Sequence, residues 1–188
     1  MVVNIGCDES LKGDTFGGLV VAAVKCNDEQ RGRLAMLGVR DCKKLSDGRV
    51  KELAPEIKKV AKYSIQSVLP QEYNKYKLTD LMNKLFKKAS SDLRPADEII
   101  VDKFPGCIVG SICEPKADSK YTEVAAASIL ARDSALKQIE KLSEKFGHKI
   151  PLGSTHVKGA LEILKKSRKS PKKFVKLHFK NVKHVFDK

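Results

Sequence analysis

The chain lacks the sequence features of membrane-spanning and secreted proteins. Its 188 residues contain no tryptophan, and only 6% of them are aromatic. No apolar run approaches the roughly 20 residues that span a bilayer, and the first residues lack the basic and apolar stretches of a signal peptide. We therefore expect a cytoplasmic protein without a membrane anchor.

Cysteine is also arranged in a way that excludes two kinds of stabilisation. The five cysteines are an odd number, and no two of them form a C-x-x-C pair. The sequence therefore predicts reduced, mostly buried thiols rather than a disulfide framework or a structural zinc site. Walker, nucleophile-elbow and dinucleotide-binding motifs are absent as well, so no small-molecule cofactor is expected.

Basic residues, in contrast, are in clear excess. Lys and Arg number 37 against 23 Asp and Glu, which gives a net charge of +14. Residues 141–188 alone carry 13 Lys and one Arg against Glu144, Glu162 and Asp187, a net charge of +11. Such a field attracts polyanions, so nucleic acid, RNA-rich assemblies and anionic membrane surfaces are the candidate partners.

Hydrophobic periodicity predicts an α/β domain. The expected strands are residues 2–7, 17–24, 63–69, 98–101 and 107–113. Three helices are expected at residues 45–61, 71–93 and 124–146. A fourth is expected to be capped by Ser154 or Thr155 and to run to Leu164, and a short fifth helix is expected at 170–171. Because strands come first and then alternate with helices, we expect a mixed sheet in a single domain, residues 1–188, of which about 141–188 form a basic helical part.

Four acidic residues lie where core-building does not require them. Asp8 and Glu9 end the first strand, Asp102 ends the fourth, and Asp118 precedes the long helix. Carboxylates at strand ends are ligands for Mg²⁺ or Mn²⁺, and two such ions can activate water for phosphodiester cleavage. The ordinary alternative is that these acids form turns, cap helices or stay solvated.

Three strings resemble the type 2 ribonucleases H. They are GCDESLKGDTFG at 6–17, RDCKKL at 40–45, and KADSKY at 116–121 followed by VAAASILAR at 124–132. Gly13-Asp14 with Phe16, the pair Tyr73-Asn74, and LHFKN at 177–181 resemble ribonuclease HIII more than ribonuclease HII. The match is ordered and covers nearly the whole chain.

The resemblance implies an RNase H-like fold, with a central mixed five-stranded sheet flanked by helices and with C-terminal helices. It also implies metal-dependent endonucleolytic cleavage of the RNA strand of an RNA–DNA hybrid, leaving 3′-hydroxyl and 5′-phosphate ends. Mg²⁺ or Mn²⁺ would be held by the four carboxylates named above, Asp8, Glu9, Asp102 and Asp118. We expect a monomer that consists of the catalytic domain, without the N-terminal hybrid-binding domain usual in ribonuclease HIII.

The resemblance further implies a substrate-binding set. Its members are Ser10, Leu11, Lys12, Gly13, Cys42, Lys43, Lys44 and Lys116. The loop from Ser10 to Gly13 corresponds to the family's glycine-basic-glycine element, whose backbone approaches the 2′-hydroxyls of the RNA strand. Lys43 and Lys44 are expected to hold backbone phosphates, and Lys116 is placed where it could help them.

Two departures from the family pattern affect this set. Leu11 replaces the first glycine of the element, so its side chain is expected either to block the backbone approach or to change the path of the loop. Cys42 replaces a serine, which exchanges a strong hydroxyl donor for a weak thiol. These departures motivate an alternative hypothesis, a non-catalytic protein that binds hybrid or structured RNA. A third hypothesis is another phosphodiesterase activity on the same fold, such as cleavage of duplex RNA or DNA.

Overall fold

A mixed five-stranded sheet forms the centre of the protein in the computed structural model, which describes residues 2–39 and 45–187. The strands are β1 (Asn4–Ser10), β2 (Leu19–Cys26), β3 (Lys62–Val68), β4 (Glu98–Asp102) and β5 (Ile112–Glu114). Their order is β3-β2-β1-β4-β5. The pairs β1–β2 and β2–β3 are antiparallel, and β1–β4 and β4–β5 are parallel. The predicted mixed sheet is confirmed.

Helices cover both faces of this sheet. They are α1 (Asp28–Met36), α2 (Asp47–Val60), α3 (Pro70–Tyr73), α4 (Leu78–Ser91), α5 (Thr122–Phe146), α6 (Lys158–Lys166) and α7 (Lys180–Phe186). Side chains alternate between the faces of a strand, so Val20 and Ala22 of β2 join the core with α5 and α2, whereas Val21 joins the core with α4. This two-sided burial explains why β2 is a continuous apolar run.

Gly6 brings the central strand unusually close to the long helix. A Cβ atom at this position would lie 2.3 Å from the backbone carbon of Glu123 and 2.3 Å from the nitrogen of Val124. Only glycine permits that approach. It places the first half of β1 directly against the first turn of α5, a helix whose small residues were predicted to pack on the sheet.

Several local predictions differ from the structure. The expected helix over 71–93 is two helices, α3 and α4, and the expected strand over 107–113 is the short β5. Gly106 and Gly110 have positive φ angles, which an extended strand does not tolerate. Neither Ser154 nor Thr155 caps α6, because that helix begins at Lys158 with Val157 at its N-cap. The sequence patterns also missed α1 and α7.

The C-terminal residues pack against the start of the chain. Phe16 and Val175 form an antiparallel bridge, and the Gly17 amide donates to the Phe174 carbonyl at 3.0 Å. Phe174, Val175 and Val182 are buried in the same core as α5. Residues beyond 140 therefore build part of the fold. No helix in the described ranges is long and apolar enough to cross a membrane.

Candidate active site

The carboxylates predicted from the sequence converge on one edge of the sheet. β1 and β4 are parallel neighbours with Cys7 opposite Val101, so their carboxyl ends meet at the same edge. Asp8 and Asp102 each follow those paired residues. This register brings together acids that are 94 positions apart in the chain.

Asp8 is a buried carboxyl group with another carboxylate next to it. Its exposed fraction is 6%. Burial raises its pKa well above 3.8, and the charges of Glu9 and, to a smaller extent, Asp102 act in the same direction. Hydrogen bonds from the Ser128 side chain and from the Glu9 amide, the latter at 2.7 Å, partly oppose the rise. A neighbouring positive charge would relieve this repulsion.

Glu9 already has one cation beside it. Its Oε1 atom accepts a hydrogen bond from the Lys12 ammonium group, and the Glu9 side chain is only 8% exposed. Its Oε2 atom is buried and has no hydrogen-bond partner within the described residues. A buried carboxylate oxygen left this way is unfavourable unless a further ligand binds it.

Asp102 fixes the turn that carries Asp118. The Asp102 Oδ1 atom accepts a hydrogen bond from the Ala117 amide at 2.9 Å, and Ala117 opens the 3₁₀ turn Ala117–Ser119. Asp118 is 3% exposed in that turn, four residues before α5 begins at Thr122. Lys116, two residues before Asp118, is exposed and has a left-handed backbone with φ +58°.

The donor atoms of this edge suit a hard divalent cation, because they are all carboxylate oxygens. The buried, unpartnered oxygen of Glu9 and the Lys12 ammonium that stands beside the other oxygen both mark a place for positive charge. In the part of the chain that the structure describes, however, no three acidic, His or Cys side chains are already arranged to hold one ion. Joint binding of one ion by three of these carboxylates would need side-chain positions other than those seen.

In the loop after β1, Leu11 adopts a backbone angle that is typical of glycine. Leu11 has φ +69°, and its side chain is 4% exposed in the core. Contrary to one expectation, the side chain therefore does not block the outside of the loop. Lys12 is half-buried and Gly13 is exposed. Ser10, the last residue of β1, is half-buried as well.

The rest of the predicted substrate-binding set is only partly described. Cys42, Lys43 and Lys44 lie outside the described residues. Lys116 lies beside the turn of Asp118, at the same edge as the carboxylates. Contact of these residues with a substrate stays a prediction.

Two residues next to this site were not identified from the sequence. Ser128 reaches Asp8 from the small-residue stretch of α5, where only close packing was expected. Lys176 is 0% exposed, and its Nζ atom donates to the Leu11 carbonyl at 2.6 Å and to the Asp14 carbonyl. Burial lowers the pKa of Lys176 to about 7, while the Asp14 charge raises it. The signal that could have identified Lys176 is its position as the one lysine in the largely apolar segment from Phe174 to Phe179.

Comparisons with known proteins agree with this geometry. The family model "Ribonuclease HII" matches residues 5–182. Ribonuclease HII of Archaeoglobus fulgidus is 39% identical over 160 residues, 77% of this chain and 77% of that protein. Ribonuclease HIII of Aquifex aeolicus is 35% identical over 185 residues, 93% of this chain and 70% of that protein.

A solved structure gives the same result for the fold. The crystal structure of Bst-RNase HIII in complex with Mn²⁺ superimposes with a TM-score of 0.87 at 30% identity, covering 99% of this chain and 70% of that one. The similarity to ribonuclease HIII expected from the motifs is confirmed. The chain belongs to the type 2 ribonucleases H and is a ribonuclease H endonuclease.

Proposed function

We propose that the protein cleaves the RNA strand of RNA–DNA hybrids in a metal-dependent reaction that leaves 3′-hydroxyl and 5′-phosphate ends. Asp8, Glu9, Asp102 and Asp118 hold Mg²⁺ or Mn²⁺ in this proposal. The observation that carries it is the pair of adjacent carboxyl groups at the end of β1, one with a raised pKa and one with an unpartnered buried oxygen. Bst-RNase HIII, which superimposes on this chain, was crystallised with Mn²⁺.

The residues divide the work of the reaction by position. A bound divalent cation supplies Lewis-acid polarisation of the phosphate and a more acidic water. Asp8 must be ionised to hold it, and Ser128 and the Glu9 amide favour that ionised form by hydrogen bonding. Asp102, at the end of β4, accepts a hydrogen bond from the Ala117 amide and so ties the turn that carries Asp118 to the strand that carries Asp102. Lys12 now neutralises Glu9; with a cation held there, its ammonium group would be available to a phosphate of the substrate.

We propose that the loop from Ser10 to Gly13 selects the RNA strand. The exposed backbone of Gly13 and the inward side chain of Leu11 leave the outer surface of this loop open to the 2′-hydroxyls. Lys116, with Cys42, Lys43 and Lys44, is assigned to the phosphates on either side. Exposed lysines of the C-terminal part, such as Lys172 and Lys173, extend this basic surface.

The remaining expectations are kept as proposals. Residues 1–188 act as one catalytic domain, and the bridge between Phe16 and Val175 supports including residues 141–188 in it. Free thiols at Cys7, Cys26 and Cys107 agree with a reducing, cytoplasmic location. Size-exclusion chromatography with light scattering tests the predicted monomer.

The decisive experiment is cleavage of an end-labelled RNA–DNA hybrid in Mg²⁺ and in Mn²⁺. Asp8→Asn should lower the rate at least about 100-fold, because even residues that only support metal ligands commonly cost 10- to 100-fold. The matched control is Asp92→Asn, an acid at the end of α4 that binds Lys88 and Ser64 instead. Asp92→Asn should cleave the hybrid at the wild-type rate.

Other outcomes separate the alternatives. Binding of the hybrid without cleavage in either metal would support the non-catalytic binding protein. Faster cleavage of duplex RNA or DNA than of the hybrid would support the third hypothesis. A wild-type rate equal to that of Asp8→Asn would refute the proposed role of the carboxylates.

A further inference from the structure

Lys176 is a buried charged side chain that the proposed reaction does not use. It is completely inaccessible to solvent, whereas lysine is almost never fully buried without partners. A buried ammonium group is tolerated only where polar atoms replace the water it has lost. The hydrogen-bond partners of Lys176 therefore show which part of the protein its ammonium group stabilises.

Those partners are the two ends of the loop after β1. Nζ donates to the Leu11 carbonyl at 2.6 Å and to the Asp14 carbonyl, across 165 and 162 residues of sequence. The Asp14 amide also donates to the Leu11 carbonyl at 3.2 Å, which closes the turn. The ammonium group thus clamps the carbonyls on both sides of Lys12 and Gly13.

Leu11 explains why this turn needs a clamp. Its φ of +69° is a left-handed conformation that glycine adopts freely and leucine does not. Without an external partner, leucine favours other backbone angles, and the loop would lose its path. The hydrogen bond from Lys176 to the Leu11 carbonyl stabilises the peptide group at this strained position.

Lys176 is itself rigidly placed. Its amide donates to the Thr15 carbonyl at 3.0 Å. Asn74 binds both of its neighbours, donating to the Val175 carbonyl and accepting from the Leu177 amide, each at 2.9 Å. Nζ also lies 5.1 Å from the ring centre of Tyr73. The motifs that resemble ribonuclease HIII thus meet around this lysine.

We propose that Lys176 is a positioning residue that holds the loop from Ser10 to Asp14 in the shape that binds the hybrid. The proposal rests on the proposed function of that loop. A loop fixed before binding loses less conformational freedom when the substrate arrives, so its rigidity improves substrate binding rather than the chemical step. Lys176 is more than 160 residues from the loop in sequence and contacts it from the core side.

The test compares Lys176→Met and Lys176→Gln with the wild type. Methionine keeps the length and loses the donors, whereas glutamine keeps an amide donor. At a temperature where circular dichroism shows all variants folded, Lys176→Met should raise KM for the hybrid about 10- to 100-fold, the size expected for a lost charged hydrogen bond. Its kcat should change much less, and Lys176→Gln should lie between.

Hydrogen exchange gives a readout that does not depend on cleavage. In the metal-free protein, the Asp14 amide should exchange faster in Lys176→Met, because the turn that it closes is no longer clamped. The control is Leu34→Ala, which destabilises α1 in the core without touching the loop. It should leave both KM and the exchange of Asp14 unchanged while the protein is folded.

Each result decides one claim. Equal KM and equal Asp14 exchange in Lys176→Met and wild type would overturn the positioning role, and so would the same changes in Leu34→Ala. If Lys176→Met does not fold, Lys176→Gln carries the same comparison. Failure of the wild type to cleave hybrid would refute the proposed function, and the exchange of Asp14 would then decide the role of Lys176 alone.

Discussion

Two buried ionisable groups flank the loop after β1, and their surroundings differ. Burial raises the pKa of Asp8 and lowers that of Lys176, so both are pushed towards the neutral form. Lys176 has two carbonyl partners and an aromatic ring beside it. Asp8 instead has a second carboxylate next to it, and Glu9 has an unpartnered oxygen. The first environment has polar partners from the protein itself, whereas the second has room for the cation proposed above.

The largest effect should come from supplying that cation. At a Mn²⁺ concentration 100 times its dissociation constant, the wild type should gain about 2.7 kcal/mol in free energy of unfolding by mass action. Differential scanning fluorimetry with Mn²⁺ and with EDTA measures this gain. Asp8→Asn should lose most of it, and Lys176→Met should keep it. An equal Mn²⁺-induced shift of the melting temperature in wild type and Asp8→Asn would show that Asp8 does not bind the cation.

A smaller effect is expected from Leu11→Gly. Removing a buried leucine side chain costs about 2–5 kcal/mol, and releasing a left-handed leucine returns about 1–2 kcal/mol. The net result should be a loss of about 1–3 kcal/mol, measured by urea denaturation. Unchanged or higher stability would show that burial of the Leu11 side chain does not outweigh the cost of its left-handed backbone.

The smallest effect should be a gain in stability on removing the charge of Asp8 without metal. Because the pKa of Asp8 is raised in the folded state, the folded carboxyl group keeps a proton that the unfolded one loses. The stability that this bound proton contributes is lost as the pH rises through the raised pKa. Asparagine cannot ionise. Asp8→Asn in EDTA should therefore be more stable by about 1 kcal/mol at pH 8, the usual size of a stabilising substitution.

The pH dependence of the stability difference between Asp8→Asn and wild type is the control for that prediction. Towards pH 4, close to the ordinary pKa of 3.8, Asp8 is protonated in the folded wild type, and the difference between the two proteins should shrink. Urea denaturation at pH 4, 6 and 8 follows it. A difference that grows as the pH falls would contradict the raised pKa.

Patterns in the sequence predicted where Asp8 and Asp102 lie better than they predicted the contacts of Leu11 and Lys176. Asp8 and Asp102 end apolar runs, and the ends of neighbouring parallel strands meet, so local signals were sufficient. The inward direction of Leu11 depends on its φ angle, which no pattern of residue types specifies. Lys176 was counted among the basic surface residues, because its burial depends on contacts with residues 11 and 14 that only the fold brings together.

The bond between Leu11 and Lys176 also has a consequence for how the protein is made. Leu11 leaves the ribosome 165 residues before its partner, so a growing chain carries the β1 carboxylates long before the loop is clamped. Contacts of such high sequence separation also pay the largest loop-closure entropy and form late in folding. Under the proposed role of Lys176, a growing chain that has not yet reached residue 176 therefore binds the hybrid more weakly, and full substrate affinity requires that Lys176 has been synthesised and packed.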